Sequence, residues 1–346
     1  MPIVTQPSFA NSLPGFQPRR WLTGGHAQTL AGNFLPRTNL LPPPEARFIN
    51  VSDQQVSDKD GAQTQVLCHC HWQPEGVRQT AMTVVIVHGL EGSSDSQYVL
   101  GTGSKVWLEG MNVVRMNMRN CGGTEKLTPT LYHSGLSGDV GAVVRELTEK
   151  DGLKKIGLVG YSMGGNLVMK LAGEWGTAAP PEVKVAVGVS PAMDLAASAD
   201  ALHHLKNRMY EWKFLFKLRQ RFLRKVKLFP DRYDAKYAEG LKSLRHFDDV
   251  ITARYSGFTG ADDYYARASS SRIAEHIATP SLVIHSTDDP FIIMAAETRE
   301  KLLTNPQVAL LESEHGGHCA FLADANGYDG RWAEKISVQF LKQHAL

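Results

Sequence analysis

The chain has 346 residues, enough for a large core, and its 42% hydrophobic and 21% charged residues are ordinary for a globular protein. A formal net charge of +2 excludes a strong overall attraction to nucleic acid. No apolar stretch is long enough to span a bilayer, and the first 18 residues lack the pattern of a secretion signal. We therefore expect a cytoplasmic protein with reduced thiols at its four cysteines, Cys68, Cys70, Cys121 and Cys319.

Residues 1–44 are rich in Pro, Gly and Asn and are expected to wrap the surface of one domain that comprises residues 1–346. Strand-like runs follow, and from the third onward most are continuously apolar, as in a parallel sheet covered on both faces. The predicted strands are 47–51, 64–72, 82–87, 112–117, 155–160, 183–189, 281–286 and 307–312. The predicted helices are 103–110, 136–149, 166–174, 295–303 and 332–343. This alternation predicts an α/β fold with an eight-stranded, mostly parallel sheet.

A long segment, residues 191–279, interrupts the alternation after the sixth strand and is mostly helical in pattern. It predicts a helical cap inserted into a core of residues 45–190 and 280–346. Within it, residues 206–227 are strongly basic and carry apolar residues at helical spacing. The favoured interpretation is an amphipathic helix with a solvated basic face. The alternative is a surface that contacts anionic lipid headgroups or acidic substrates such as acyl-CoA phosphates. We expect no nucleic-acid partner, because base-stacking aromatics do not line a basic groove.

The pentapeptide at residues 160–164, Gly-Tyr-Ser-Met-Gly, lies between a predicted strand and a predicted helix. Its glycines permit a sharp turn that lifts Ser162 above the sheet, at the helix end where anionic intermediates are favoured. This is the pattern of a nucleophile elbow. Alone it is a weak signal, because an ordinary strand-to-helix turn can have the same composition.

A serine nucleophile needs a base, and the base needs an orienting acid. The chain order serine, acid, histidine predicts the acid in the loop after the seventh strand. Asp288 and Asp289 are both there, and Asp289 is favoured because it immediately precedes Pro290. Asp288 is then expected to cap the turn, and an Asx turn without catalytic function is the alternative for the pair.

The base is expected in the loop after the eighth strand, where His315 and His318 lie on either side of two glycines. His318 is favoured because the glycines allow this loop to approach Ser162 closely. The alternatives are two surface histidines, or a metal cluster with Cys319, which is disfavoured because ligands from one loop need distant partners.

The developing oxyanion needs preorganised backbone donors. The amide of Met163, directly after the nucleophile, is one candidate. The amide of Leu90, in the His-Gly turn after the third strand, is the other.

Four stretches together resemble the YheT branch of the α/β-hydrolases, which includes ABHD-type esterases. They are residues 21–29, 87–93, 132–139 and, most specifically, 248–289. The resemblance implies the triad Ser162, Asp289 and His318 and the hydrolysis of acyl esters of carboxylic acids. The residues show no zinc-ligand spacing, and we expect no metal and no cofactor. Asn120 departs from the glycine that this family tends to have there, in a turn that is structural in most members.

The sequence therefore predicts a serine esterase that acts on a small-molecule acyl ester. Acyl transfer from acyl-CoA to an alcohol stays open, since both reactions share every step until deacylation. A ligand-binding protein without catalysis is the second alternative, although such proteins usually have a broken triad.

Overall fold

One sheet of nine strands forms the centre of the computed structural model, which describes residues 3–5, 15–51 and 64–345. The strand order is β1-β9-β8-β7-β6-β4-β5-β3-β2. From β5 to β9 the neighbouring strands are parallel, and β1, β2 and β3 are antiparallel to their neighbours. The strands are β1 (Ile3–Thr5), β2 (Glu45–Asn50), β3 (Gln65–His71), β4 (Thr83–Val87), β5 (Asn112–Met116), β6 (Ile156–Tyr161), β7 (Val183–Val189), β8 (Ser281–Ser286) and β9 (Val308–Ser313).

The predicted α/β-hydrolase architecture is confirmed, with one strand more than expected. All eight predicted strands are present, and each boundary is within two residues of its prediction. The ninth strand, β1, pairs with β9 and lies inside the N-terminal segment that we expected only to wrap the surface. Residues 1–2 and 6–14 of that segment lie outside the described residues. Three residues without turn signals are too short a run to stand out as a strand in the sequence.

Helices connect the strands and cover both faces of the sheet. In chain order the helices are α1 (Gly25–Phe34), α2 (Glu75–Arg78), α3 (Gln97–Leu108), α4 (Ser137–Arg145), α5 (Met163–Trp175), α6 (Leu195–His203), α7 (Arg208–Leu228), α8 (Leu244–Phe247), α9 (Arg254–Ser256), α10 (Ala261–Ala268), α11 (Ala296–Thr304) and α12 (Trp332–Gln343). Helices α6 to α10 belong to the segment between β7 and β8.

The core has two layers, one on each face of the sheet, as β4 illustrates. Val84 and Ile86 pack into the layer that contains α3 and α12, whereas Val85 and Val87 pack into the layer that contains α4 and α5. All four side chains are inaccessible to solvent. A strand buried on both faces needs apolar residues at every position, which is why this run lacks alternation.

The long helix α7 corrects the expectation of a fully solvated basic face. Its apolar stripe is buried as predicted, with Leu218 and Phe222 in the core. However, two of its basic residues, Arg221 and Lys225, are buried as well. The Lys225 ammonium donates to the carbonyl oxygens of Glu125 and Thr128, and burial lowers its pKa to about 7. Helix α7 is therefore joined to the core by polar contacts as well as by apolar packing.

Among the described residues, no helix combines the length and the apolar character that crossing a bilayer requires. All four cysteines are free thiols, and Cys68, Cys70 and Cys121 are buried.

Candidate active site

Ser162 lies at the tip of a sharp turn between β6 and α5. Its backbone has a φ of 55°, in the left-handed region that non-glycine residues seldom adopt. The Ser162 amide donates to the Val189 carbonyl oxygen of β7 at 2.9 Å, which holds the strained turn in place. Helix α5 begins at Met163, three residues earlier than predicted, so the positive end of the helix lies directly beside the serine.

Two glycines make this turn possible because neighbouring backbone atoms lie too close to leave room for a side chain. Their own backbone angles do not require glycine. A Cβ on Gly160 would lie well under 3.0 Å from the Gly164 backbone. A Cβ on Gly164 would collide with the carbonyl oxygens of Val87 and His88, at the end of β4. The glycine pattern read from the sequence is therefore required by packing between the turn, the helix and the neighbouring strand.

Asp289 and His318 come from the loops after β8 and β9 and meet in a hydrogen bond. The distance from His318 Nδ1 to Asp289 Oδ2 is 2.8 Å. The other carboxylate oxygen of Asp289 accepts from the amides of Phe291 and Ile292 at 3.1 and 2.9 Å. Burial opposes ionisation of Asp289, but His318, His285 and the Ile292 amide hold the pKa of the carboxyl below its usual value. The carboxylate is thus fixed in position and charged.

Asp288 and His315 occupy different positions from the pair just described. Asp288 Oδ1 accepts the Gly317 amide at 2.9 Å, so this carboxylate braces the loop that carries His318. His315 Nδ1 lies 3.5 Å from Asp288 Oδ2 on the more exposed side of that loop. The sequence favoured Asp289 and His318 over Asp288 and His315, and the hydrogen bonds give the members of each pair different partners.

The His318 imidazole is held between a carboxylate and a thiol. Its Nε2 lies 3.7 Å from Cys319 Sγ, while Nδ1 faces Asp289. Burial disfavours the protonated ring, yet the sulfur and the carboxylate raise the pKa of His318 above its ordinary value. A raised pKa makes the neutral imidazole a stronger proton acceptor.

Ser162 and His318 line one open cavity of about 520 Å³, together with Gly89 and Leu90 of the loop after β4. Among the described residues, no hydrogen bond joins the Ser162 hydroxyl to the imidazole. Serine and histidine therefore face a common space, in which a substrate can contact both.

One backbone amide from the loop after β4 and one from the start of α5 shape a possible anion-binding position. In the described part of the chain, the amides of Leu90 and Met163 donate to no protein acceptor, and both residues line an apolar cavity that reaches Ser162. His88 anchors this loop, because its Nε2 accepts the Met118 amide at 3.1 Å. Its Nδ1 must then carry the proton and donate to the Gly89 carbonyl oxygen at 2.8 Å. Burial lowers the pKa of His88 to about 4, which keeps this ring neutral.

The sequence did not show that residues outside the loop after β4 hold this loop in place. Glu91 has a φ of 57° and is held by Arg221 of α7 and by the Tyr132 hydroxyl, which donates to its carboxylate at 2.6 Å. The run at residues 132–139 was noted in the sequence, but its contact with Glu91 was not. The one signal of the contact with Glu91 in the sequence was a charged residue, Arg221, at an unusual position of an amphipathic helix.

The apolar cavity has a volume of about 110 Å³ and extends from Ser162 beneath helices α6 and α7. Most of its lining is aliphatic or aromatic, including Leu218, Phe222 and Phe291. Asp248 is a partly buried polar exception, and it accepts hydrogen bonds from Thr252 and Tyr265 at 2.8 Å each. Burial raises the pKa of Asp248 to about 6. The apolar lining of this cavity suits the apolar part of a small molecule.

The chain is similar in sequence to known hydrolases. Residues 83–325 match the model of a family described as the alpha/beta hydrolase fold. "Putative esterase YheT" of Escherichia coli K12 is 34% identical over 72% of this chain and 74% of its own length. The monoacylglycerol lipase of Saccharomyces cerevisiae is 28% identical over 75% of this chain and 58% of its own. The phospholipase ABHD3 of Bos taurus is 26% identical over 94% of this chain and 78% of its own.

Solved structures share the fold at much lower identity. The Pyrococcus furiosus esterase Pf2001 aligns with a TM-score of 0.56 at 16% identity, over 88% of this chain and 92% of that one. At this identity the likeness extends to the fold alone.

Proposed function

The chain belongs to the α/β-hydrolase fold family, as its motifs predicted, and from that premise we propose that it is a serine esterase acting on acyl esters of carboxylic acids. Its relatives are named as an esterase and as lipases, and the chain is a lipase-like hydrolase. The observation that carries the proposal is the hydrogen bond between Asp289 and His318 at the edge of the cavity that contains Ser162. An acid, a base and a strained serine nucleophile have few other uses in combination.

In the proposed mechanism Ser162 Oγ attacks the acyl carbonyl carbon while His318 Nε2 accepts the hydroxyl proton. Asp289 holds the other ring nitrogen in its protonated tautomer and stabilises the imidazolium. The Leu90 and Met163 amides donate to the oxyanion, a contact whose loss typically costs about 10² to 10³ in turnover. The Ser162–His318 hydrogen bond forms in the substrate complex, as is common when the free site is looser.

The tetrahedral intermediate then collapses. His318 returns the proton to the leaving alcohol, and the acyl group stays on Ser162. Water enters, His318 removes its proton, and attack on the acyl carbon releases the carboxylic acid and regenerates the serine. No cofactor takes part in this sequence.

The apolar cavity beside Ser162 supports the proposal that the substrate has an acyl chain longer than acetate. We expect kcat/KM to rise from p-nitrophenyl acetate toward medium-chain esters, and Ser162→Ala to abolish hydrolysis throughout the series. A steady fall in kcat/KM from acetate upward would contradict this acyl site.

Labelling by a fluorophosphonate probe separates catalysis from mere ligand binding. Wild-type protein should be labelled stoichiometrically and Ser162→Ala should not. Unlabelled wild-type protein would support a binding protein instead. Product analysis with a competing alcohol then distinguishes hydrolysis from acyl transfer, because transfer yields a new ester.

A further inference from the structure

The mouth of the 520 Å³ cavity has an unusually apolar rim. Helix α1 contributes Phe34, which is 76% exposed, and α7 contributes Met209 and Trp212, which are 61% and 72% exposed. All three residues also line the cavity that contains Ser162 and His318. Large apolar side chains exposed singly are ordinary, but a cluster around one opening marks an interaction site.

On α7 the exposed apolar residues continue away from the mouth. Trp212 and Phe216 are four residues apart, and their rings stack with centroids 6.2 Å apart. Phe216 is 50% exposed, so the stacked pair faces solvent rather than the core. Because residues three and four apart share a helix face, Met209, Trp212 and Phe216 form one stripe. The rim therefore combines this stripe with Phe34 across the opening.

Lysines accompany the apolar rim. Lys213 and Lys217 lie one turn apart on α7, are exposed, and line the same cavity. Within the described residues, neither has an ion-pair partner. Glu91 is the only acidic residue among those that line the cavity, and Arg221 already neutralises it. The mouth of the cavity therefore combines positively charged lysine side chains with exposed apolar side chains.

We propose that this rim, defined as Phe34, Met209, Trp212 and Phe216 with Lys213 and Lys217, docks on the surface of an anionic phospholipid bilayer. Aromatic side chains suit the boundary between headgroups and acyl chains, and lysines beside them attract anionic headgroups. A protein partner fits less well, because lysine is depleted at the centre of protein interfaces. The rim residues come from α1 and α7, which both line the cavity, so a flat bilayer that touches both helices would cover its opening.

Docking in this orientation gives a lipid ester a path from the bilayer to Ser162 without crossing water. That consequence rests on the proposed esterase function, whereas docking itself does not. The test therefore uses Ser162→Ala protein, which cannot alter the vesicles by hydrolysis.

The experiment is co-sedimentation of Ser162→Ala protein with vesicles of phosphatidylcholine alone or with 30% phosphatidylglycerol, at low and high salt. We expect binding to the anionic vesicles that weakens as salt increases. On that background, Lys213→Glu with Lys217→Glu should lower the partition coefficient by more than about tenfold. Trp212→Ser with Phe216→Ser should weaken binding to a similar extent and should change its salt dependence less.

Matched controls lie at the opposite end of the sheet. Lys154 precedes β6 and Lys184 is the second residue of β7, so both lie at the amino ends of these strands, and Leu108 ends α3 on that side. Lys154→Glu with Lys184→Glu applies the same change in net charge, and Leu108→Ser removes an exposed apolar residue. Both controls should bind vesicles like the parent protein. Thermal melting checks that each variant is folded.

The outcomes separate the two proposals. Failure of the parent protein to bind anionic vesicles at low salt, or equal weakening by rim and control variants, would overturn the docking surface. Fluorophosphonate labelling of wild-type protein is a separate measurement, so the esterase can stand when docking fails. Conversely, docking can stand when labelling fails.

Discussion

Arg221 of α7 forms a buried, two-point ion pair with Glu91, the residue after the proposed oxyanion donor Leu90. Its Nε donates to Glu91 Oε1 at 2.8 Å, and its Nη2 donates to Glu91 Oε2 at 3.0 Å. Arg221 also donates to the Asn120 carbonyl oxygen. The position of the long helix and the shape of the oxyanion loop are therefore coupled. Glu91 also has the positive φ that this loop requires.

Replacing Arg221 with Met should destabilise the protein and slow turnover together. The change leaves the Glu91 carboxylate buried without its cation, a situation that typically costs about 3 to 5 kcal/mol. Denaturant unfolding should show this loss, and kcat should fall more than KM rises because the Leu90 amide loses its support. The double variant with Glu91→Gln should recover part of the free energy of unfolding. An Arg221→Met protein with unchanged stability and kcat would contradict the coupling.

Substituting each neighbouring aspartate tests which one orients the histidine. Asp289→Asn should lower kcat by about 10⁴, because an amide donor opposite His318 Nδ1 favours the wrong tautomer. Asp288→Asn is the matched control, since the asparagine oxygen can still accept the Gly317 amide. We expect that control to stay within about tenfold of wild type. Ester hydrolysis is the measurement, and equal losses at both positions would refute the assignment.

The pH dependence of kcat/KM should report the pKa of His318. A base works in its unprotonated form, so kcat/KM should fall as the pH drops through the folded-state pKa. Because that pKa is raised, the acid limb should lie above pH 6.5. Cys319→Ala removes one of the neighbours that raise the pKa and should move the limb toward lower pH. A limb that stays in place in this variant would show that the sulfur does not act on the imidazole.

Gly164→Ala tests the close packing of the elbow. The added Cβ collides with the carbonyl oxygens of Val87 and His88, so it must displace the strand that leads into the oxyanion loop. We expect a loss of about 1 to 3 kcal/mol in the free energy of unfolding and a marked fall in kcat. Gly138→Ala is the control, since nothing lies within 4 Å of its Cβ position. Thermal melting and ester hydrolysis of the two variants should differ clearly; equal behaviour would count against this packing argument.

Filling the apolar cavity should shorten the preferred acyl chain. Leu218→Trp adds bulk to the wall of the cavity, and we expect kcat/KM for long-chain esters to drop relative to acetate. Gln220→Trp, two residues along the same helix, points to solvent and should leave the profile unchanged. The p-nitrophenyl ester series measures both. An unaltered chain-length profile in Leu218→Trp would mean that acyl chains lie elsewhere.

Much of the architecture could be read from the chain because it depends on local pattern. Continuous apolar runs such as 83–87 predict buried parallel strands, and the glycines at 160 and 164 predict a sharp turn at Ser162. Asp289 and His318 were identified from their order along the chain and from the loops that carry them. The substitutions described above test their proposed roles.

The contacts between distant segments were decided by the tertiary structure alone. Arg221 and Glu91 are 130 positions apart, and nothing in a basic helical stretch shows which of its charges will be buried. The apolar rim likewise needs α1 and α7 to flank one opening. Periodicity determines which face of an element is apolar, because that depends on neighbours three or four residues away. Which charge meets which partner depends on how the elements pack, and that information exists only once the chain has folded.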